Sequence, residues 1–432
     1  MALHTAKKGE SLGSLVHAYL PQTLYMTGSE LEAAIRRANG GRKGNALKPG
    51  EYILIPGYEA IIVERSIPVE RDFEVRAIYL TGTMAGSVRG LEMIRRWHAL
   101  GGNAVVFDIK DSDGIINVPF QHALAPAYKP PIRNLPKFAR FLHAQGMHSI
   151  ARIAIFRDEY LVKHHPELAV HSRQSGQPWR ENGKLVWVDP SHPEVQQYNI
   201  ALARLAAESG VDEVQFDYVR FPAEGDQKDT VFTFQSAHPK WQRSDVIADF
   251  LRSAYAELRP LKVLFALDVF GVMAWQRSVD LVHTGQDIVS MAKYCDVLSP
   301  MIYPSHFFGM DGYSQPGDAP EHFIGGSMEK FREITKGSGV VLRPWLQAFG
   351  WRTKTYSAEY ILRQVAVSKD KGGIGFLFWN ARNDYSKPFA AMPEMTGHPA
   401  RYLRIQVAKE RPPAKIEPVA AAGTTLQKTA SQ

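Results

Sequence analysis

The sequence predicts an α/β protein: a (β/α)₈ barrel preceded by a small β-α-α-β unit. Three observations predict it. From residue 75 onward, short β-rich apolar runs are separated by amphipathic helical stretches, as parallel βα units require. Eight such runs can be counted: Val75 to Gly82, Asn103 to Asp111, His148 to Phe156, Glu213 to Pro222, Lys262 to Gly271, Val297 to Pro304, Val340 to Phe349 and Gly373 to Asn380. Eight strands over roughly 300 residues fit a closed barrel better than an open sheet. An open doubly wound sheet would also carry a Gly-rich phosphate loop after its first strand, and Thr81-Gly82-Thr83-Met84-Ala85-Gly86 is too loose for Gly-x-Gly-x-x-Gly.

Residues 4–56 read as a separate unit. Lys7-Lys8-Gly9-Glu10-Ser11-Leu12 precedes an apolar-periodic run from Leu15 to Leu20, and a second helical run spans Ser29 to Asn39. Its Ser29-x-x-Glu32 has capping-box spacing, which satisfies two free amides. Pro49-Gly50 then bends the chain into the strand Tyr52-Ile53-Leu54-Ile55. With Lys-Lys-Gly-Glu-Ser-Leu at one end and Leu47-Lys48-Pro49-Gly50-Glu51-Tyr52-Ile53-Leu54-Ile55-Pro56 at the other, the segment resembles a lysin-motif (LysM) domain. That resemblance implies binding of N-acetylglucosamine-containing glycans, peptidoglycan or chitin. The stretch from Tyr19 to Thr27 is longer than such domains usually have.

Residues 57–74 read as a linker and 75–405 as the barrel. The helix before the fourth strand begins at Ser191-His192-Pro193-Glu194, repeats apolar positions at Leu202, Leu205 and Ala206, and ends at Gly210. Residues 409–432, with three prolines and no apolar period, read as a disordered tail.

Composition excludes several classes. Lys and Arg total 51 against 44 Asp and Glu, a net +7, but no basic block is interleaved with aromatics, so a nucleic-acid partner is not expected. No run of about 18 apolar residues exists, so no membrane span is expected. A single cysteine, Cys295, excludes a disulfide framework. Met1-Ala2-Leu3-His4 lacks the regions of a secretory signal, which leaves a cytoplasmic protein, or an envelope, periplasmic or secreted one whose leader was removed. No cofactor and no metal are expected. His164, His165 and His171 lie in no His-Glu-x-x-His, and Asp111-Ser112-Asp113-Gly114 has Phe120 where a calcium loop needs Glu.

The active site of a (β/α)₈ barrel lies at the C-terminal ends of its strands, so polar residues closing apolar runs are the first candidates. Strand two ends Phe107-Asp108-Ile109-Lys110, and alternation puts Asp108 and Lys110 on one face. Strand three contributes Arg152. Strand four ends Gln215-Phe216-Asp217-Tyr218-Val219-Arg220, and strand five carries Asp268. Two carboxylates in one barrel mouth are what glycoside hydrolysis needs, and adjacent strands about 4.8 Å apart can bring Asp217 and Asp268 near the ~5 Å of a retaining pair. Lys110 and Arg152 would keep one acid ionised while desolvation raises the other. Tyr218, Tyr303, Trp345 and Trp379 recur at strand ends, where ring faces can stack on sugars.

The same segments resemble a bacterial family of glycoside hydrolases with a (β/α)₈ domain, a remote relative of α-amylase-type barrels. The matching stretches include Val106-Phe107-Asp108-Ile109-Lys110-Asp111, Glu213-Val214-Gln215-Phe216-Asp217-Tyr218-Val219-Arg220-Phe221-Pro222, Ala266-Leu267-Asp268-Val269-Phe270-Gly271, Arg343-Pro344-Trp345-Leu346-Gln347 and Phe378-Trp379-Asn380. The resemblance implies a glycosidase in which Asp217 is the nucleophile and Asp268 the acid/base. Asp108, Lys110, Arg152, Tyr218, Arg220, Tyr303, Trp345, Gln347, Trp379 and Asn380 would shape the sugar site. The expected substrate is a cell-envelope or extracellular polysaccharide; the alternative is a barrel that binds glycan without cutting it. The sequence departs from the pattern at Asp268, where amylase-type barrels carry Glu, and at Ala348, where an acidic residue is expected.

Overall fold

A computed structural model describes residues 1–58 and 70–404. Part of the expected linker, and the whole of the expected tail at 409–432, lie outside the described residues.

The barrel strands, numbered in chain order, are β1 (Val75–Leu80), β2 (Ala104–Lys110), β3 (His148–Ala154), β4 (Glu213–Asp217), β5 (Leu264–Phe270), β6 (Val297–Ile302), β7 (Val341–Leu342 continued by Trp345–Gln347) and β8 (Gly375–Trp379). Each pairs in parallel with the next, and β8 pairs with β1 through Gly375 and Val75, so the ring closes. The seventh strand is split because Pro344 has no amide hydrogen to give the ladder. Its carbonyl still accepts from the Leu377 amide at 3.0 Å.

Alternation divides each strand between two cores. Outward side chains such as Phe107, Phe216 and Leu267 pack beneath the helices in one large cluster. Inward ones, among them Val75, Ala77, Tyr79, Ala104, Val106, Ile150 and Leu377, fill the barrel. The lower barrel also holds a buried ion cluster, with Glu213 accepting from Arg343 at 2.7 Å and from His148 at 3.0 Å. Because Glu213, Gln215 and Asp217 share parity, β4 threads a polar column up the barrel to its open end.

The N-terminal unit has the expected β-α-α-β order. Ala2–Thr5 pairs antiparallel with Tyr52–Ile55, and helices Leu12–Tyr19 and Gly28–Ala38 lie between them in sequence. The second helix begins two residues earlier than the Ser29 and Glu32 pattern placed it. Thr27 caps it, and Glu30 returns a carboxylate to the Thr27 amide at 3.1 Å, the same box spacing two residues upstream. Glu32 instead pairs with Arg36 at 2.7 Å, one helical turn on. The unit rests on the barrel's helical layer through Met26, a Glu30–Arg95 ion pair of 2.5 Å and a hydrogen bond from the Lys137 ammonium to the Leu20 carbonyl.

Candidate active site

A cleft of about 440 Å³ opens at the C-terminal ends of the strands. Its wall includes Arg152 and Asp217 from the strands themselves, with Phe270, Tyr303, Trp345 and Trp379 supplying ring faces. The register sets Asp108, Arg152 and Gln215 level on β2, β3 and β4. Long and inward-pointing, Arg152 reaches both neighbours. Its Nη1 meets Asp108 Oδ1 at 2.5 Å, and its Nη2 and Nε meet Asp217 Oδ2 at 2.6 and 3.2 Å. The guanidinium also lies 5.6 Å from the Tyr79 ring and 5.2 Å from the Trp379 ring.

The electrostatics of this group follow from burial and from that single cation. Burial works to deprotonate Arg152, but Asp108 and Asp217 outweigh it and hold the guanidinium well above its ordinary value. Asp108 accepts the Tyr79 hydroxyl as well as Arg152, yet burial pushes its carboxyl up to about 7. Asp217 keeps 6% exposure, and its Oδ1 accepts the Tyr218 amide at 2.6 Å. Tyr218 itself sits at φ +54, a left-handed conformation rare outside glycine and concentrated at functional sites.

Asp268 lies almost level with Asp217, since Phe216 pairs with Leu267. It is only 1% exposed, however, and does not line the cleft. Its Oδ1 accepts the Trp345 indole N–H at 2.6 Å, while Oδ2 is buried without a hydrogen-bond partner among the described residues. Burial, reinforced by the charge of Asp217, raises Asp268 well above the carboxylate range. It sits at the N–H edge of the Trp345 indole, where burial favours its protonated form.

The structure brings Asp217, Arg152, Tyr218, Arg220, Tyr303, Trp345 and Trp379 to the cleft, with Asp108 directly behind Arg152. Arg220 is sandwiched at 4.6 Å from the Trp187 ring and 4.3 Å from the Phe270 ring, and burial lowers it to about 10. Three residues are placed elsewhere. Lys110 points away from the cleft because the β2–β3 register shifts between Asp108 and Lys110, which reverses the parity that alternation assigns. Its ammonium pairs with Asp158 at 2.7 Å and donates to Asn199 at 2.9 Å. The Gln347 side chain ties the Ser305 amide, the Phe349 carbonyl and Thr353, and the Asn380 side chain ties the Ala348 and Asp384 carbonyls. Both amides act as loop anchors.

Sequence reasoning missed the cleft's outer wall. Arg157 and the segment Glu181-Asn182-Gly183-Lys184 form much of it, with Glu224 from the loop after β4. The segment is a tight hairpin in which the Lys184 amide donates to the Glu181 carbonyl at 2.9 Å and Asn182 and Gly183 have φ of +50 and +83. Asn-Gly is the sequence signal for such a turn. Among the described residues, no group of three or more His, Cys, Asp or Glu is arranged to hold a metal.

Residues 77–385 match the family described as a putative glycosyl hydrolase domain, and the chain belongs to that family. The chain is similar to a hypothetical protein of Ruminiclostridium thermocellum, 33% identical over 44% of this chain and 97% of that one, with a TM-score of 0.38. It is also similar to the PgaB (BpsB) glycoside hydrolase domain of Bordetella bronchiseptica, 16% identical over 77% of this chain and all of that one, with a TM-score of 0.56. A β-galactosidase of Marinomonas ef1 is 13% identical over 71% of this chain and 54% of its own, with a TM-score of 0.52. None of the curated proteins compared with the chain matches it. At those identities, the last two show the barrel fold alone.

Proposed function

We propose that the chain is a retaining glycoside hydrolase of a cell-envelope or extracellular polysaccharide. One observation carries this reading: among the described residues, Asp217 is the only carboxylate borne by a barrel strand that lines the cleft, and it does so against a cation, Arg152, and five aromatic side chains. A carboxylate held by a guanidinium suits attack on, or stabilisation of, an oxocarbenium-like centre, and the rings suit the sugar's C–H surfaces. Asp268, level with it and with its protonated form favoured by burial, is the proton donor of this scheme, and its burial means that the Trp345 ring must give way for it to reach a glycosidic oxygen. Residues 4–56 act as a LysM-like tether on N-acetylglucosamine-containing glycan, raising the substrate's local concentration without touching the chemistry.

The test is reducing-end release from peptidoglycan, chitin-type and other amino-sugar polymers. Asp217→Asn should cut the rate by at least ~10³-fold, in the upper range of what one reacting group contributes. Asp268→Asn should cost ~10²-fold or more, and Glu224→Gln little. A large loss in Glu224→Gln with none in Asp268→Asn would move the acid to the cleft's outer wall. A second reading is favoured by the 1% exposure of Asp268: a barrel that binds glycan without cleaving it. Tight glycan binding with no reducing ends released, in wild type and Asp217→Asn alike, would establish it.

A further inference from the structure

The cleft does not end at its hairpin wall. A second groove of about 460 Å³ continues from it, sharing Arg157 and Lys184 as common lining. The rest of its charged lining is Glu159, Lys163 and Arg180. Four cations thus face one carboxylate, and that carboxylate is engaged by Lys163 at 3.5 Å. Among the described residues, Arg157, Arg180 and Lys184 have no carboxylate within ion-pair distance. In another groove, of about 510 Å³, every lining carboxylate is in an ion pair, Glu329 with Lys371, Asp311 with His322 and Glu321 with Arg363 from outside it, and among the described residues Lys330 alone of its lining has none. Arg157 is hydrogen-bonded to the Tyr218 side chain and feels Glu181 and Glu159 only from beyond ion-pair distance, so an anion entering the groove would meet cations with no carboxylate in direct contact.

The cations are also held in place. The Asn182 side chain donates to Glu224 at 3.1 Å, tying the hairpin that carries Arg180 and Lys184 to the loop after β4. Arg157, at the end of the neighbouring strand segment, lies 5.7 Å from the Tyr218 ring beside Asp217. Any glycan chain leaving the cleft past Arg157 and Lys184 enters this groove.

We propose that the groove binds carboxylates carried by the glycan, so that the substrate is an acidic polysaccharide and not a neutral one. Guanidinium groups pair with carboxylates through two parallel hydrogen bonds, which favours Arg157 and Arg180 as the recognising residues. The inference rests on the glycosidase reading of the cleft and names its substrate class.

The test uses the full chain carrying Asp217→Asn, so that binding is read without turnover. The probes are hyaluronate and peptide-stripped muramic-acid glycan strands as carboxylated polymers, chitin hexaose as a neutral one and poly(glycerol phosphate) as a phosphate one. Carboxylated probes should bind at least about tenfold more tightly than chitin hexaose, roughly what one charge-assisted hydrogen bond supplies, and the advantage should fall as NaCl is raised. Adding Arg180→Gln should remove most of that preference and Arg180→Glu should reverse it, with chitin hexaose binding unchanged in both. Arg180 is exposed, so neither variant threatens the fold. Equal binding of neutral and carboxylated probes, or a preference that survives Arg180→Glu, would overturn the inference. So would retention of poly(glycerol phosphate) without the carboxylated polymers. A carboxylate preference that responds to Arg180 in a protein whose wild type releases no reducing ends would uphold the groove and overturn the glycosidase reading instead.

Discussion

Arg152 serves two buried carboxyls, Asp108 and Asp217, with one positive charge that the more exposed Asp111 also touches at 3.4 Å, and the two are not treated alike. Asp217 keeps a route to solvent, whereas Asp108 is buried behind it and is pushed up to about 7. A carboxyl raised in the folded state contributes stability that is complete below its unfolded value of about 3.9 and is lost as pH rises through about 7. Over that window the loss is on the order of 4 kcal/mol at most. Asp108→Asn should therefore be less stable than wild type at pH 5 and should close that gap, or invert it, at pH 8. Urea midpoints of both proteins at the two pH values check this, and a constant difference would refute it. Lys110 poses the opposite case. Its ion pair with Asp158 is completely buried, so Lys110→Met leaves a carboxylate unpaired and should cost about 3–5 kcal/mol in urea unfolding. Glycan turnover under folding conditions should be unchanged, since the ammonium does not face the cleft. A collapse of turnover at wild-type stability would return Lys110 to the site. The candidate Asp217 was legible because a charge closing an apolar strand is conspicuous. The direction of Lys110 was not, because one shifted register step inverts parity and no residue type announces it. Asp268 was legible as a position but not in its depth, which is set by Trp345, a residue 77 positions away whose indole covers it.

At the level of elements, strands were easier to read than their ends. All eight runs form strands because buried parallel strands are continuously apolar, a signal that survives without knowledge of neighbours. The reading of Val340 to Phe349 as one run passed over the break that the missing amide hydrogen of Pro344 causes, and the helix cap at Thr27 competed with an equally spaced Ser29 that the position of Glu30, paired to Arg95, decides against. The seam between β8 and β1 depends on one glycine. Gly375 has φ +79, and a Cβ there would lie 2.0 Å from the Val75 carbonyl oxygen, a backbone atom of the facing strand that cannot swing aside. Gly375→Ala combines left-handed strain with that clash and should destabilise the barrel by roughly 2–4 kcal/mol. Thermal unfolding should show a clearly lowered midpoint. A wild-type midpoint would mean that the two strands separate at this point without loss.

For the whole molecule, the question is whether the N-terminal unit works as a separate module or as a buttress of the barrel. Its core is small: nine buried residues, among them Leu12, Leu31 and Ile55, hold about 55 residues together. Its polar links to the barrel include the partly exposed Glu30–Arg95 pair, which is worth less than about 1 kcal/mol in solution. A Leu→Ala change in such a core costs about 2–5 kcal/mol, comparable with the entire stability of a domain of that size. Leu31→Ala, at a completely buried position, should therefore unfold the unit and leave the barrel standing. Retention on insoluble peptidoglycan or chitin should then fall sharply, while cleavage of a soluble fragment of the same glycan continues at the wild-type rate, because tethering changes local concentration and not the transition state. Calorimetry should show the smaller transition lost and the larger one in place. If soluble turnover and the larger transition fall together with retention, the unit is part of the barrel's own support, and the tether is lost from the scheme while the cleft remains.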